Sequence, residues 1–292
     1  MLEIDSGLVG TELSGIEREV SRRDTTNYAA ALKDLNPLYF DDTSDGGIVA
    51  PPMLAVAITW AIVGNIQKQL EGSLPMEIVP TMVHGSEHLI FHRLIMPGDK
   101  LRIGGIVAAI SPTRAGAHLV IRLDATDESA EPVFTEYNGA IFRGVKCADA
   151  GRGKNNLPEP PKWDEPSNMI WDVEIPIPRE MSYIYDGCTD IVFPIHTSPA
   201  FARNVGLPGI ILQGTATLAL AAREIVNREA QEQPERLREI ACRFSNMVIP
   251  GSKIKVELTR KDEKASDTLL GFRVLNEQGA EAVRFGYAKL SR

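Results

Sequence analysis

Cysteine is scarce in this chain of 292 residues: Cys147, Cys188 and Cys242 are all it has. Three thiols, odd in number and far apart in sequence, exclude a disulfide framework and a Cys-x-x-Cys metal site and read as small core residues. Basic clusters are missing as well. The 31 Lys and Arg stand against 39 Asp and Glu, and the formal net charge of −8 argues against a nucleic-acid partner. No apolar run approaches the length needed to span a bilayer, and residues 1–10 have neither the basic start nor the apolar stretch of a secretory signal, so a cytoplasmic protein is expected. Neither Gly104-Gly105 nor the stretch from Gly206 to Gly209 forms a G-x-G-x-x-G after a strand, and no dinucleotide motif is present.

What is present is an ordinary globular composition, 43% hydrophobic and 24% charged, in a chain long enough for two core-bearing domains. The stretch on which the rest turns covers residues 182–227, where an acid, a histidine and a glycine-opened helix fall close together. Asp190 and His196 lie on a segment that Pro194 keeps from being a continuous helix, and the proline biases Phe193 towards an extended conformation. Ser198-Pro199 is a start signal and Gly206 a stop, predicting a short helix over 200–205. After Gln213-Gly214 the run TATLALAAREIVNR, beginning at Thr215, is small or apolar on its first two turns and predicts a long helix sheathed by something larger. Gly214 lets a ligand approach the backbone where the first amide groups are unpaired and backed by the helix dipole, a setting suited to a developing oxyanion.

The first half follows a similar plan. A strand and loop over 4–20 and a short helix over 21–35, capped around Asp24-Thr25-Thr26, lead to a second apolar helix over 53–70, introduced by Ala50-Pro51-Pro52. Alternating segments at 76–95, 101–110, 117–126 and 132–144 read as strands, matched by 237–249, 252–261, 268–276 and 280–290 in the second half. Met96-Pro97-Gly98-Asp99-Lys100 recurs as Ile249-Pro250-Gly251-Ser252-Lys253, and hairpin turns at 127–131 and 276–281 correspond, so the chain is an internal duplication. Residues 151–168, GRGKNNLPEPPKWDEPSN, lack periodicity and read as a linker between domains over 1–150 and 169–292. One apolar helix followed by four or five antiparallel strands, twice over, predicts an α+β fold in which a curved sheet wraps each helix.

Pro194-Ile195-His196, with Gln213-Gly214 downstream, resembles the MaoC-like (R)-specific enoyl-CoA hydratases and 3-hydroxyacyl thioester dehydratases. Their motif runs G-D-x-N-P-[LI]-H, with an H-G-[ML] opening the long central helix. The likeness covers nearly the whole chain, weakest over the linker and the first twenty residues. It implies a double hotdog, two tandem curved antiparallel sheets each wrapping one long apolar helix, joined edge to edge with a tunnel between the halves. The departures are specific. Ile191 fills the motif's acid position, Phe193 its Asn position and Gln213 its second His, so Asp190 can serve only if the segment carries a one-residue bulge. In the first half Asp34-Leu35-Asn36-Pro37-Leu38-Tyr39 keeps the acid, Asn and Pro but has Tyr39 for the histidine.

The resemblance implies reversible hydration of a trans-2-enoyl thioester carried on CoA or an acyl-carrier protein, with no metal or redox cofactor and the second half holding the active site. In that reading His196 and Asp190 hold one water, the Gly214 amide receives the oxyanion, and Gln213, Thr215 and Phe193 contact substrate. Blander readings stand beside it: a core histidine, an Asx-turn at Asp190, and a structural role for Asp34, which is the favoured one there. His84, His88 and His92 recur every fourth residue, but on a strand they are expected to point to one side about 13 Å apart, which does not favour a metal site. Lys253, Arg243 and Arg203 are basic residues that could meet ligand phosphates, with no one of them preferred. The absence of the short helix from the first half predicts a wider tunnel there, suited to a long or bulky acyl group. Two alternatives remain, a non-catalytic hotdog subunit that binds acyl thioesters and a hotdog thioesterase, and a homodimer is possible.

Overall fold

The computed structural model describes residues 2–43, 46–161, 163 and 169–292. The first half contains strands β1 (Glu3–Ile4) and β2 (Glu12–Glu19), helices α1 (Arg22–Ala31), α2 (Leu54–Val63) and α3 (Ile66–Gln69), and strands β3 (Met82–Phe91), β4 (Lys100–Pro112), β5 (Gly116–Thr126), β6 (Pro132–Arg143) and β7 (Lys146–Cys147). The second half contains β8 (Trp171–Pro176), helices α4 (Met181–Thr189), α5 (Pro199–Asn204) and α6 (Gly214–Glu229), then β9 (Leu237–Phe244), β10 (Lys253–Glu263), β11 (Asp267–Leu275) and β12 (Glu281–Ser291).

Ten of these strands form one sheet in the order β2-β4-β5-β6-β3-β9-β12-β11-β10-β8, five from each half, with β1 and β7 pairing apart from it. The order within the halves is mirrored about the junction. There β3 and β9 run antiparallel, with Ser86 opposite Arg243, Glu87 opposite Cys242 and Leu89 opposite Ile240. The repeated turns share a backbone as well as a sequence: Gly98 and Gly251 have φ 93 and 92. Only glycine takes that region freely.

The inner face of the sheet carries the apolar members of the strand alternation, and one continuous core runs through both halves. Helix α6 is buried along most of its length, including Ala216, Leu218, Leu220, Ala222 and Ile225, as a helix wrapped by a sheet must be. The apolar stretch 53–70 is broken where the sequence analysis expects one helix: α2 ends at Gly64 and α3 restarts after Asn65. Glycine is a poor helix interior residue, and Gly64 ends α2 with an ordinary helical bond from its amide to the Trp60 carbonyl at 2.7 Å. Helix α1 starts one position later than expected, with Ser21 as N-cap and Asp24 closing a capping box. Strand β8 was not anticipated; it pairs with β10 as an edge strand. In the expected linker, Arg152 bridges to Ile110 and the Trp163 indole N–H donates to Asp262 at 3.1 Å. Residues 162 and 164–168 of that linker lie outside the described residues. Helix α1 packs on α4 across the two halves, and the Tyr28 and Tyr185 hydroxyls meet there at 3.0 Å.

Candidate active site

Helix α4 delivers the histidine segment. It ends at Thr189, and Asp190 caps it with φ 57 while its N–H bonds the Asp186 carbonyl at 3.0 Å. Left-handed backbone is the conformation glycine takes without strain and Asp or Asn tolerate better than other residues. Counted back from His196, Asp190 stands at the glycine of the G-D-x-N-P-[LI]-H pattern, and its φ meets that glycine's backbone requirement. Ile191, at the acid position, is buried in the core. A tight turn follows, with the Val192 N–H on the Asp190 carbonyl at 2.9 Å. It does not swing the acid inward.

Asp190 is exposed, beside Arg18 and Asp24 on a shallow surface cleft, and among the described residues no hydrogen bond or ion pair joins it to His196. Asp190 and His196 thus make no direct contact, and the left-handed cap leaves the Asp190 side chain exposed.

Phe193 is extended at φ −146 and ψ 129, as the residue before a proline should be, and Pro194–His196 makes a single 3₁₀ turn. Ser198 then caps α5 through the Phe201 amide, and Gly206 at φ 83 ends it. This compact loop sets the imidazole against the approach to α6. The His196 Nδ1–H donates to the Ile211 carbonyl at 2.8 Å. A carbonyl only accepts, so Nδ1 carries the hydrogen and Nε2 keeps its lone pair; Nε2 has no partner among the described residues. Burial holds the His196 pKa down to about 4, opposed by the Ile211 carbonyl and reinforced by the nearby His84. At neutral pH His196 is an uncharged base.

Gly214 opens α6, and its amide has no acceptor among the described residues. A Cβ at Gly214 would sit 3.2 Å from Cδ1 of Phe244, so the aromatic ring closes directly on the helix start. The same ring lies 4.6 Å from that of His84. His84 is brought here by a register shift between His84 and Ser86, at Gly85, which turns it to the inner face. His88 and His92 stay on the outer face, bonding Glu239 at 2.6 Å and Thr135 at 3.3 Å. The three histidines thus do not share a side as expected, and the described residues contain no group of three metal-ligating side chains.

Behind His84 lies a buried polar cluster that sequence reasoning missed. His84 Nε2 is 3.1 Å from Glu87 Oε2, and the Asn138 amide nitrogen is 3.2 Å from His84 Nε2, Glu87 Oε2 and Glu136 Oε1. The Thr59 hydroxyl of α2 donates to Glu136 at 2.5 Å. Desolvation pushes Glu87 up to about 8 and Glu136 well above the carboxylate range, the charge of Glu87 adding to the latter. Both carboxyls are therefore protonated for much of the pH range below neutrality. Desolvation holds His84 down to about 4, opposed by Glu136 and by the Ser86 carbonyl.

Gln213 and Thr215 are buried, at 1% and 7% exposure. The Gln213 amide donates to the Ser182 carbonyl at 3.1 Å and Thr215 accepts from the Tyr185 hydroxyl at 3.2 Å, so both tie α4 to the start of α6. Gln213 Oε1 is left without a partner. Phe193 stays beside the imidazole, 6.4 Å between ring centres.

Known proteins resemble the chain in sequence and fold. Residues 168–279 match the MaoC like domain, and residues 7–136 match the FAS1-like, dehydratase domain region. A probable enoyl-CoA hydratase 2 of Dictyostelium discoideum is 25% identical over 259 residues, 86% of this chain and 85% of that one. Some other curated relatives are far longer, and the chain spans as little as 5% of them. The crystal structure of a MaoC-like dehydratase from Phytophthora capsici superposes with a TM-score of 0.85 at 19% identity, covering 98% of this chain and 96% of that one. A Mycobacterium tuberculosis protein described as having a double hotdog fold gives a TM-score of 0.62 at 13% identity, covering 97% and 96%. The fold is a double hotdog. The second half carries a MaoC-like domain and the first a FAS1-like dehydratase region, the two matches together covering most of the chain.

Proposed function

We propose that the protein is a hydro-lyase that reversibly hydrates a trans-2-enoyl thioester to the (R)-3-hydroxyacyl thioester. Its MaoC-like domain and the name of the Dictyostelium relative support this class of chemistry. The observation that carries it for this chain is the state of His196, an uncharged imidazole with an unengaged Nε2 next to a helix start whose first amide is free. Hydration needs a group that takes a proton from water and returns it to carbon, and His196 does both. As the water oxygen bonds to C3, its proton passes to Nε2 and the C2=C3 electrons move onto the thioester oxygen. The Gly214 N–H receives that charge, an interaction worth about 3 kcal/mol in the transition state. The imidazolium then protonates C2 on the same face.

Phe193 is the residue we assign to the acyl chain. Gln213 and Thr215 position the helix start, and Asp190 takes no step. The CoA or carrier-protein arm belongs to the substrate, and a long or bulky acyl group is favoured by the absence of a helix among the described residues between Tyr39 and Met53, where the second half has α5. Adding purified protein to crotonyl-CoA and to a medium-chain enoyl-CoA tests the reading. Loss of enoyl absorbance with formation of the (R)-3-hydroxyacyl product supports it. Release of free thiol would make the protein a thioesterase, and binding with neither change would make it a non-catalytic subunit.

A further inference from the structure

We propose that His84, carried by the first half, is the second catalytic group of this site, holding the attacking water against His196, with Glu87 and Asn138 as the positioning residues behind it. The proposal rests on the hydration reading above and supplies what the histidine segment of this chain lacks, a second acceptor for the water.

Three observations converge on it. The first is the state of the ring. His84 Nε2 lies 3.1 Å from both the Ser86 carbonyl and Glu87 Oε2 and 3.2 Å from the Asn138 amide nitrogen; with that amide's two hydrogens on Glu87 and Glu136, Nε2 gives its hydrogen to the Ser86 carbonyl, which can only accept, and we assign the lone pair to Nδ1. Nδ1 has no partner among the described residues. Its state matches that of His196, each imidazole fixed through one nitrogen by a main-chain carbonyl and left with the other nitrogen as an acceptor. The second is place. The ring lies 4.6 Å from that of Phe244, whose ring also closes on Gly214, so one aromatic side chain joins His84 to the helix start that the His196 segment approaches.

The third is the cluster that holds it. Glu87 and Glu136 are each 1% exposed at the junction of the halves, and among the described residues no Lys or Arg pairs with either. Burying two carboxyls without a cation costs stability and calls for a use beyond packing. Here the cost fixes one ring: Glu87 Oε2 sits behind Nε2, and Asn138 bridges Glu87 to Glu136.

The chemistry balances without another reactant. One water hydrogen goes to His196 Nε2 as the O–C3 bond forms. The other stays on oxygen, donates to His84 Nδ1 and becomes the product hydroxyl. The electrons displaced from C2=C3 rest on the thioester oxygen and return when the His196 imidazolium gives its proton to C2.

The test is crotonyl-CoA hydration by the full chain and three His84 variants, with thermal melts alongside. His84→Gln keeps a polar end near Nε2 but no acceptor at the place of Nδ1; we expect a folded protein with kcat down about 100-fold and KM within a few-fold. His84→Asn, with its oxygen near the place of Nδ1, should be faster than His84→Gln, and added imidazole should raise the rate of His84→Ala. Glu87→Gln should lower kcat about 10-fold through the ring it positions. A His84→Gln variant within threefold of the wild type, or equal losses in all three His84 variants with no rescue, would overturn the proposal while leaving hydration intact. If the wild type hydrates no enoyl thioester, both readings fall together.

Discussion

The two halves carry the same segment ahead of their central helices, and each has lost a different part of the same pair. In the first half the acid survives and the histidine does not: Asp34 and Tyr39 are both buried, at 3% and 1% exposure. Asp34 accepts from the Asn36 amide at 3.3 Å, Asn36 reaches the Glu232 carbonyl at 2.7 Å, and Arg223 of α6 donates to the Leu32 carbonyl. The segment has become a weld between halves. In the second half the histidine survives with a free nitrogen, while the acid position is a buried isoleucine and the nearby acid points to solvent. Duplication frees one copy for stability while the other keeps the histidine, and in the reading proposed above His84 of the first half serves the second half's site.

The largest effect that would break this comparison is expected at His196. His196→Ala should lower hydration by at least about two orders of magnitude, read as kcat on crotonyl-CoA, while Tyr39→Ala in the mirror position should act through stability and leave kcat of the folded fraction near wild type. Next comes Gly214→Ala. The new methyl would meet the Phe244 ring at 3.2 Å, and a loss of about tenfold in kcat with a small change in melting temperature is expected.

Stability against pH sharpens the contrast further. His84, His118 and His196 are all held to about 4, below their ordinary 6.5, by burial above all. A histidine with a lowered folded pKa contributes stability that is present above 6.5 and is lost as pH falls through 4. Glu87, raised to about 8, acts in the opposite sense, its share being present below 4.5 and lost as pH rises through 8. Chemical denaturation across pH 4–8 should therefore show a steep acid decline that is shallower in His196→Gln, and an alkaline decline that is reduced in Glu87→Gln. The acid limb of kcat should fall near 4 rather than 6.5 if His196 is the base.

Smaller effects separate the two acids. Asp34→Ala should cost about 1–3 kcal/mol of stability by leaving buried partners unpaired, with kcat within about twofold. Asp190→Gly should be neutral or stabilising by roughly 0.5–1 kcal/mol, because it relieves a left-handed residue, and should leave turnover unchanged. A large loss of turnover in Asp190→Gly would restore Asp190 to the site.

Much of this was legible beforehand, for identifiable reasons. The duplication, the apolar helices and the strand alternation are repeated patterns of sequence and survived folding, as did the Ser198 cap and the extended Phe193 before Pro194. The bulge expected at Asp190 is a left-handed cap instead, because spacing alone cannot distinguish the two. The pairing of His84 with Glu87 was missed because their register depends on one glycine. Gly85 in a strand was a signal for a bulge, and Glu87 alternating with Leu89 and Phe91 put an acid on the apolar face. Neither sign says what the acid backs until β3 and β9 are side by side.

The most direct measurement is a double-mutant cycle between the halves. Turnover of crotonyl-CoA is compared for His84→Gln, His196→Ala and the two combined. If both imidazoles hold one water, the double variant should be hardly slower than His196→Ala, since the second loss removes a partner already without work. Losses that multiply, the double variant slower by the product of the single effects, would mean that the two rings act apart and that no joint site exists.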